Sequence, residues 1–562
     1  MAQVKTAATR SPARSSFSQV REAGESILFA LILAFVFRGF VGQAFVIPTG
    51  SMAPTLLGSH MDHVCSSCGY GYAVSLDRCR PGEMPGRVKC PNCDWEDTPH
   101  GTPQAASAGD GIFTLSWPFA LGSKRLDPQR WDVIVFKAPF NMQTNSKGLP
   151  VEREGQTNYI KRLVGLPGDV LAILDGDVYT AQAAALPEPI RQGLLNNSLT
   201  GEQKEQLNEF LRIERKTTKA QSALWQVVFD ADYPPSRREA PGWKPLQPDS
   251  HWKLNKTEKR IFRFVGKGAP AEFMQLEGKD FLDHCRYNFD RSDDRGYAGT
   301  GRFVVSDLLL RCTATWQDCD GALLLRLSKR DKLYTVELSP GEGTGRVLQS
   351  ALDGSQEVVL GSLEFHPWKR NWPVAVAFAN VDRRLQVWMS DALVWQSPAE
   401  VFTASQARRE PAETHVPLVQ IGAADLQVEL RHVAVMRDIY YRDDVPVQVF
   451  RSPSHIEQAA PSRYAESQAN KAGWGTRDNP MLLLDGEYFM LGDNSPASYD
   501  SRAWGQAGAH LTGRELTYRQ YRFGTVPADQ LVGKAFFVYW PSWYRLFGLR
   551  VIPNVGQMRW IQ

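Results

Sequence analysis

Two residues of this chain could form a pair for nucleophilic chemistry. Ser51 stands in Phe45-Val-Ile-Pro-Thr-Gly-Ser-Met-Ala-Pro-Thr-Leu56, where Pro48 and Gly50 break any helix and allow a tight, exposed turn. A serine hydroxyl is a weak nucleophile until a base takes its proton. No Gly-x-Ser-x-Gly elbow surrounds Ser51, and the nearest histidine, His63, adjoins a cysteine cluster. Lys161, in Tyr159-Ile-Lys-Arg-Leu-Val164, is the alternative base. Burial between Ile160 and Leu163 would lower its pKa and leave a neutral amine near pH 7, a role closed to Arg162 because a guanidinium stays protonated. Each segment alone also has a plainer reading, Ser51 as ordinary turn chemistry and Lys161 as half of a surface Lys-Arg pair. A third segment, Leu491-Gly-Asp-Asn-Ser-Pro-Ala-Ser-Tyr-Asp-Ser-Arg-Ala-Trp504, brings Ser498, Asp500 and Arg502 close together and by itself reads as a polar loop.

A second chemistry lies in the cysteines. Of 8 in the chain, Cys65, Cys68, Cys90 and Cys93 form two C-x-x-C pairs, with Cys79 spare between them. This spacing fits a zinc-ribbon-like module over 62–100, closed by four thiolates and therefore structural rather than catalytic. Two disulfides are the competing reading.

The elements that must position these groups follow from the rest of the chain. With 562 residues it is too long for one typical domain, and its 43% apolar and 22% charged residues are ordinary for globular protein. A net charge of +3, spread along the chain, gives no reason to expect nucleic acid as a partner. Residues 1–20 carry Lys5, Arg10 and Arg14 and no acid, and the run from Ile27 to Ile47 is apolar except for Arg38 and Gln43. Such a run, about 20 residues long, can span a bilayer, with Arg38 snorkelling to the headgroups. A cleaved signal peptide and a buried core helix are the alternatives, and no A-x-A-like site follows to favour cleavage. The expectation is a cytoplasmic tail over 1–25 and a transmembrane anchor over 26–47, with the remainder outside the cytoplasm.

Together, Phe45–Leu56, Trp131-Asp-Val-Ile-Val-Phe-Lys137, Tyr159-Ile-Lys-Arg-Leu-Val-Gly-Leu-Pro-Gly-Asp169 and Gly492–Arg502 resemble the ordered sequence boxes of the type I signal peptidases, and Leu531–Trp540 resembles the last strand of that family. The resemblance covers 45–61, 128–182 and 480–545. Trp131 departs from it, standing where glycine is frequent. What the resemblance implies is a mainly β protease core, split into parts at 48–61, 101–184 and 480–562. In it Ser51 attacks as nucleophile, Lys161 acts as general base, and Ser498 orients the Lys161 amine. Thr49 and the Ser51 N–H form the oxyanion hole, and Asp500 and Arg502 are paired in support. The implied substrates are signal peptides with small residues at −1 and −3, with no catalytic cofactor. The implied location is the bacterial cytoplasmic membrane, single-pass, with the catalytic domain on the periplasmic side.

The boxes are separated by a long insertion. Residues 185–222 show helical spacing and read as a linker. From 223 to 450, short alternating runs such as Val374-Ala-Val-Ala-Phe378 and Leu426-Gln-Val-Glu-Leu430 argue for an inserted β-sandwich, and 451–479 read as a second linker. Phe378–Trp388 and Tyr440–Asp443 resemble concanavalin-like jelly rolls. That resemblance allows a glycan or protein ligand without requiring one. A membrane-tethered glycan- or protein-binding protein with an inactive protease core is thus the alternative function. On the peptidase reading the sandwich is an accessory module, replaceable by a short linker.

Overall fold

Alternation of apolar and polar residues drives most of this chain into antiparallel strands, and where a sheet is covered on both faces the alternation gives way to continuous apolar runs such as Val133-Ile-Val-Phe136. The computed structural model describes residues 16–36, 42–77, 79, 83–99, 107–115, 127–139, 143–144, 150–151, 157–237, 239–254, 260–288, 303–398, 413–448, 471–505, 511, 521–541, 543–546, 549–553 and 555–561. Residues 1–15 of the expected tail and most of the 451–479 linker lie outside them.

The first sheet has the order Gly42–Val46, Gly111–Leu115, Leu531–Trp540, Val133–Lys137, Asn158–Gly165, Glu487–Leu491 and Val526–Pro527. It therefore gathers segments from both sides of the insertion. Lys161 pairs with Ile134, and Arg162 faces Val133 on one side and Leu491 on the other. A smaller sheet, Arg212–Ile213, Asp177–Gln182, Asp169–Leu174 and Met481–Leu482, lies next to it in the chain. The segment expected to be a helical linker does hold helices, Glu188–Leu195, Gly201–Asn208 and Thr218–Leu224. They are not spacers: Ile190, Leu194 and Leu207 share a core with Val170, Leu174 and Tyr179 of that sheet.

The insertion folds into two antiparallel sheets of eight and seven strands around one core containing Phe264, Phe378, Met274 and Leu325. Its two ends meet: Gln226 pairs with Arg437, so the chain leaves and re-enters at one point.

The N-terminal expectation is corrected in part. A helix spans Ser16–Val36, but Gly42–Val46, assigned above to the anchor, is a strand paired with Gly111–Leu115. The extended stretch gains a ladder partner there, with Phe45 opposite Ile112, that a helix would forgo. Among the described residues no helix is long and apolar enough to cross a membrane. Ile27, Leu28, Phe29, Ile32 and Leu33 of the helix are each more than half exposed, at 62%, 60%, 69%, 53% and 58%.

Candidate active site

The turn that carries Ser51 is a single 3-10 turn, Gly50–Met52, pinned at both ends. Met52, Ala53 and Leu56 are buried beneath it. Above it, the Gly50 N–H donates to Asp77 at 2.5 Å. The Gly50 carbonyl accepts from Ala53 N and from Asn494 Nδ2, both at 3.0 Å, and the Ser51 carbonyl accepts from Asn494 N at 3.0 Å. The serine itself is half-buried.

Lys161 reaches this turn from the middle of its strand. Its Nζ donates to Ser51 Oγ at 2.6 Å and to the Ile160 carbonyl at 3.1 Å. The side chain is only 3% exposed, and burial brings its pKa down from 10.5 to about 8. Asp500 and Asp493 oppose that shift and Arg502 adds to it. Desolvation wins because both carboxylates are themselves tied up in ion pairs. Two groups set apart by the rest of the fold thus stand in proton-transfer contact, with the amine poised to be free near neutral pH.

Two buried ion pairs frame the dyad. Arg502 Nε and an Nη donate to the two oxygens of Asp500 at 2.8 and 2.7 Å, and both side chains are fully buried. The second pair was not foreseen. Arg162 donates through Nε and an Nη to Asp493 at 2.8 and 2.7 Å, again fully buried, and its remaining Nη donates to the Trp131 carbonyl at 2.7 Å. Removing one partner of such a pair leaves an uncompensated charge, costing about 4 kcal/mol. Sequence reading considered Arg162 only as a base and dismissed it. The available signal was that Arg162 and Asp493 both lie inside family-like boxes. Trp131 holds its carbonyl in place with φ +76, in the left-handed region where glycine is the easier residue. Its indole donates to the Arg215 carbonyl at 2.9 Å, an anchor that a glycine could not make.

The other expected groups are less closely engaged. Ser498 does not hydrogen-bond Lys161 here. Its hydroxyl is buried without a partner, pressed against Gly492, where an added Cβ would lie 2.1 Å from Ser498 Oγ. The second Lys161 bond goes to its own strand instead. Thr49 precedes the turn, exposed, and its hydroxyl makes no capping bond.

The four cysteines converge. Cys65 and Cys93 Sγ are 3.6 Å apart, Cys68 and Cys90 Sγ 3.7 Å, and all four sulfurs lie within 4.8 Å of one another. Thiolates bound to zinc at about 2.3 Å on a tetrahedron stand about 3.8 Å apart. None of the four is in a disulfide, and neither is Cys79. Each pair sits in a turn, with Gly69 N donating to Cys65 O and Asp94 N to Cys90 O. The donor set fits a structural zinc and leaves no open position on it. Purified protein should carry about one zinc per chain by elemental analysis. Chelation should lower the melting temperature, because the metal's binding energy is folding energy for this module. A metal-free protein with an unchanged melt would remove the site.

Beyond the geometry, the family model described as signal peptidase, peptidase S26, matches residues 20–226 and 431–540, the parts on either side of the sandwich. Signal peptidase I of Rickettsia prowazekii (strain Madrid E) is 26% identical over 167 residues, covering 29% of this chain and 45% of that protein. Signal peptidase I of Pseudomonas aeruginosa is 25% identical over 234 residues, covering 42% and 55%. The chain spans about half the length of the curated relatives it matches. A carbohydrate binding module from Bacillus subtilis overlaps 34% of the chain and 94% of its own at 12% identity, but with a TM-score of 0.23 the likeness carries no argument. With the family model covering more than half of its residues, the chain belongs to the signal peptidase family, peptidase S26.

Proposed function

We propose that this protein is a membrane-bound type I signal peptidase that cleaves signal peptides from exported preproteins with Ser51 and Lys161. The observation that carries the proposal is the 2.6 Å contact between a half-buried serine on a pinned turn and a desolvated lysine. The neutral Lys161 amine takes the Ser51 proton as Oγ adds to the scissile carbonyl. The ammonium then protonates the leaving amine as the C–N bond breaks. In the second half Lys161 takes a proton from water, which attacks the acyl carbon, and Ser51 Oγ leaves with that proton. The Ser51 N–H and the exposed Thr49 hydroxyl serve the oxyanion. Asp500–Arg502 and Arg162–Asp493 hold the loop and the strand that face each other across the dyad. Ser498, with its unpaired buried hydroxyl, turns to Lys161 as the site tightens around substrate. The exposed apolar side chains from Ile27 to Leu33 supply the membrane contact. The catalytic domain then stands on the periplasmic side, within reach of a cleavage site just outside the bilayer.

Cleavage of a purified preprotein, followed by gel and by mass spectrometry of the new N-terminus, tests this reading, and the Ser51→Ala protein is the control. The pH profile tests the base. Lys161 must be deprotonated to act and its pKa is lowered to about 8, so kcat should rise as pH passes from 7 to 9 and flatten above the midpoint. A rate independent of pH across that window would exclude Lys161 as the base.

A further inference from the structure

The nucleophile turn is held in part by a segment from the inserted sandwich. Tyr287 abuts Gly50 with a ring edge: a Cβ added to that glycine would meet the ring at 2.1 Å. The Tyr287 hydroxyl donates to the Ser59 carbonyl at 3.2 Å, and its own carbonyl accepts from Ser75 N at 2.8 Å. One residue on, Asn288 forms a reciprocal amide pair with Asn494. Asn288 Nδ2 donates to Asn494 Oδ1 at 2.9 Å, and Asn494 Nδ2 donates to Asn288 Oδ1 at 2.8 Å. The second hydrogen of Asn494 Nδ2 goes to the Gly50 carbonyl.

This pairing clamps the amide. The Gly50 carbonyl, which can only accept, selects the Nδ2 end of Asn494. Asn288 then engages both the remaining Nδ2 hydrogen and the Oδ1 of that amide, so the side chain is held at both ends. The segment is in turn tied to the four-cysteine module: Arg286 and Lys279 pair with Asp94 at 2.8 and 3.0 Å, and Lys279 donates to the Pro91 carbonyl at 2.8 Å.

Resting on the functional reading above, we infer that Asn288 is a positioning residue for Ser51, supplied by the insertion and acting through the Asn494 amide. It touches neither the dyad nor the backbone of the turn. Its effect is to hold the Asn494 amide against the Gly50 carbonyl, and so to keep Ser51 Oγ at proton-transfer distance from Lys161. Misplacement of a reacting group by about 1 Å is enough to slow a reaction about a hundredfold.

The test compares Asn288→Ala, Asn494→Ala and the double variant in preprotein cleavage and in hydrogen exchange of the peptide covering residues 45–57. Asn288→Ala is expected to lower kcat about tenfold with KM, melting temperature and the pH midpoint unchanged. Exchange in the 45–57 peptide should be faster. The double variant should lose no more than Asn494→Ala alone, because the two residues act in series. Asn288→Asp keeps the shape and removes the donor. It should reproduce the kcat loss if the alanine variant folds poorly. Wild-type kcat or wild-type exchange in a folded Asn288 variant, or additive losses in the double variant, would overturn the inference. If the wild type cleaves no preprotein, the functional reading fails, while the exchange data still decide whether Asn288 holds the turn.

Discussion

Replacing Ser51 by alanine is expected to reduce preprotein cleavage on the order of 10⁴-fold or more, with Lys161→Ala close behind. The two effects should not add, because each residue is useless without the other: the hydroxyl needs a base, and without the hydroxyl no acyl-enzyme forms for the base to resolve. Lys161→Arg should be equally inactive although it keeps the charge, since a guanidinium cannot accept a proton at working pH. None of these variants should unfold the protein. Ser51 is half-buried on a turn that is held through the N–H and C=O groups of the turn's own backbone rather than through the serine side chain. Removing the Lys161 ammonium takes away a buried cation that no carboxylate contacts directly, since its hydrogen bonds go to Ser51 and Ile160. Circular dichroism and a thermal melt would verify this alongside the cleavage assay. Processing by Lys161→Ala at the wild-type rate would eliminate the mechanism.

Excising the sandwich is the second change with a large expected effect, and the contacts reverse what the sequence suggested. The ends of the insertion are adjacent, Gln226 opposite Arg437, so a short Gly/Ser linker can close the gap at little entropic cost. Folding should nevertheless suffer. Arg442, buried beside the catalytic loop, loses its ion-pair partner Asp283. Its backbone N–H donates to Ser495 Oγ at 2.9 Å, and its carbonyl accepts from Arg502 at 2.8 Å, so the disturbance reaches the Asp500–Arg502 pair directly. Lys216, also buried, loses Asp382 and keeps only Asp438. Ala53 loses its packing partners Cys285 and Tyr287. Taking an ion-pair partner from a buried charge costs up to about 4 kcal/mol, a large share of the stability of an ordinary domain. A protein with residues 226–437 replaced by a linker should melt far below the parent and lose cleavage by more than about 10²-fold. Wild-type melting and cleavage would return the sandwich to the status of an accessory.

The structure also separates what could be read along the chain from what could not. Short-range pattern carried the strands. The apolar run Val133–Phe136 and the alternation in Leu426–Arg437 follow from side-chain period, which is a local property. The grouping of Cys65, Cys68, Cys90 and Cys93 was legible for the same reason, because each C-x-x-C pair sits in a turn of its own. The pairing of Ser51 with Lys161 was suggested by order and resemblance. Its 2.6 Å geometry and the desolvation that lowers the lysine pKa exist only once the sheet has assembled around them.

The N-terminal apolar run marks where sequence reading fell short. Composition alone treats 26–47 as one element. The ladder with Gly111–Leu115 turns its last part into a strand, because hydrogen-bond partners from a distant segment outweigh local helix preference. Three further features depend on distant residues meeting. Arg162 and Asp493 neutralise one another only because neighbouring strands place them face to face. Ser498, expected to orient the lysine, is held instead against Gly492. Asn288, from the middle of the insertion, reaches the nucleophile turn although no local pattern marks it out. The sequence by itself therefore determined the candidate residue types, the clustered cysteine set and the strand-rich architecture, since these rest on near-neighbour chemistry. Tertiary structure decided burial, charge pairing and the reach of the insertion into the site, since each of these is a property of atoms far apart in the chain and close together in space.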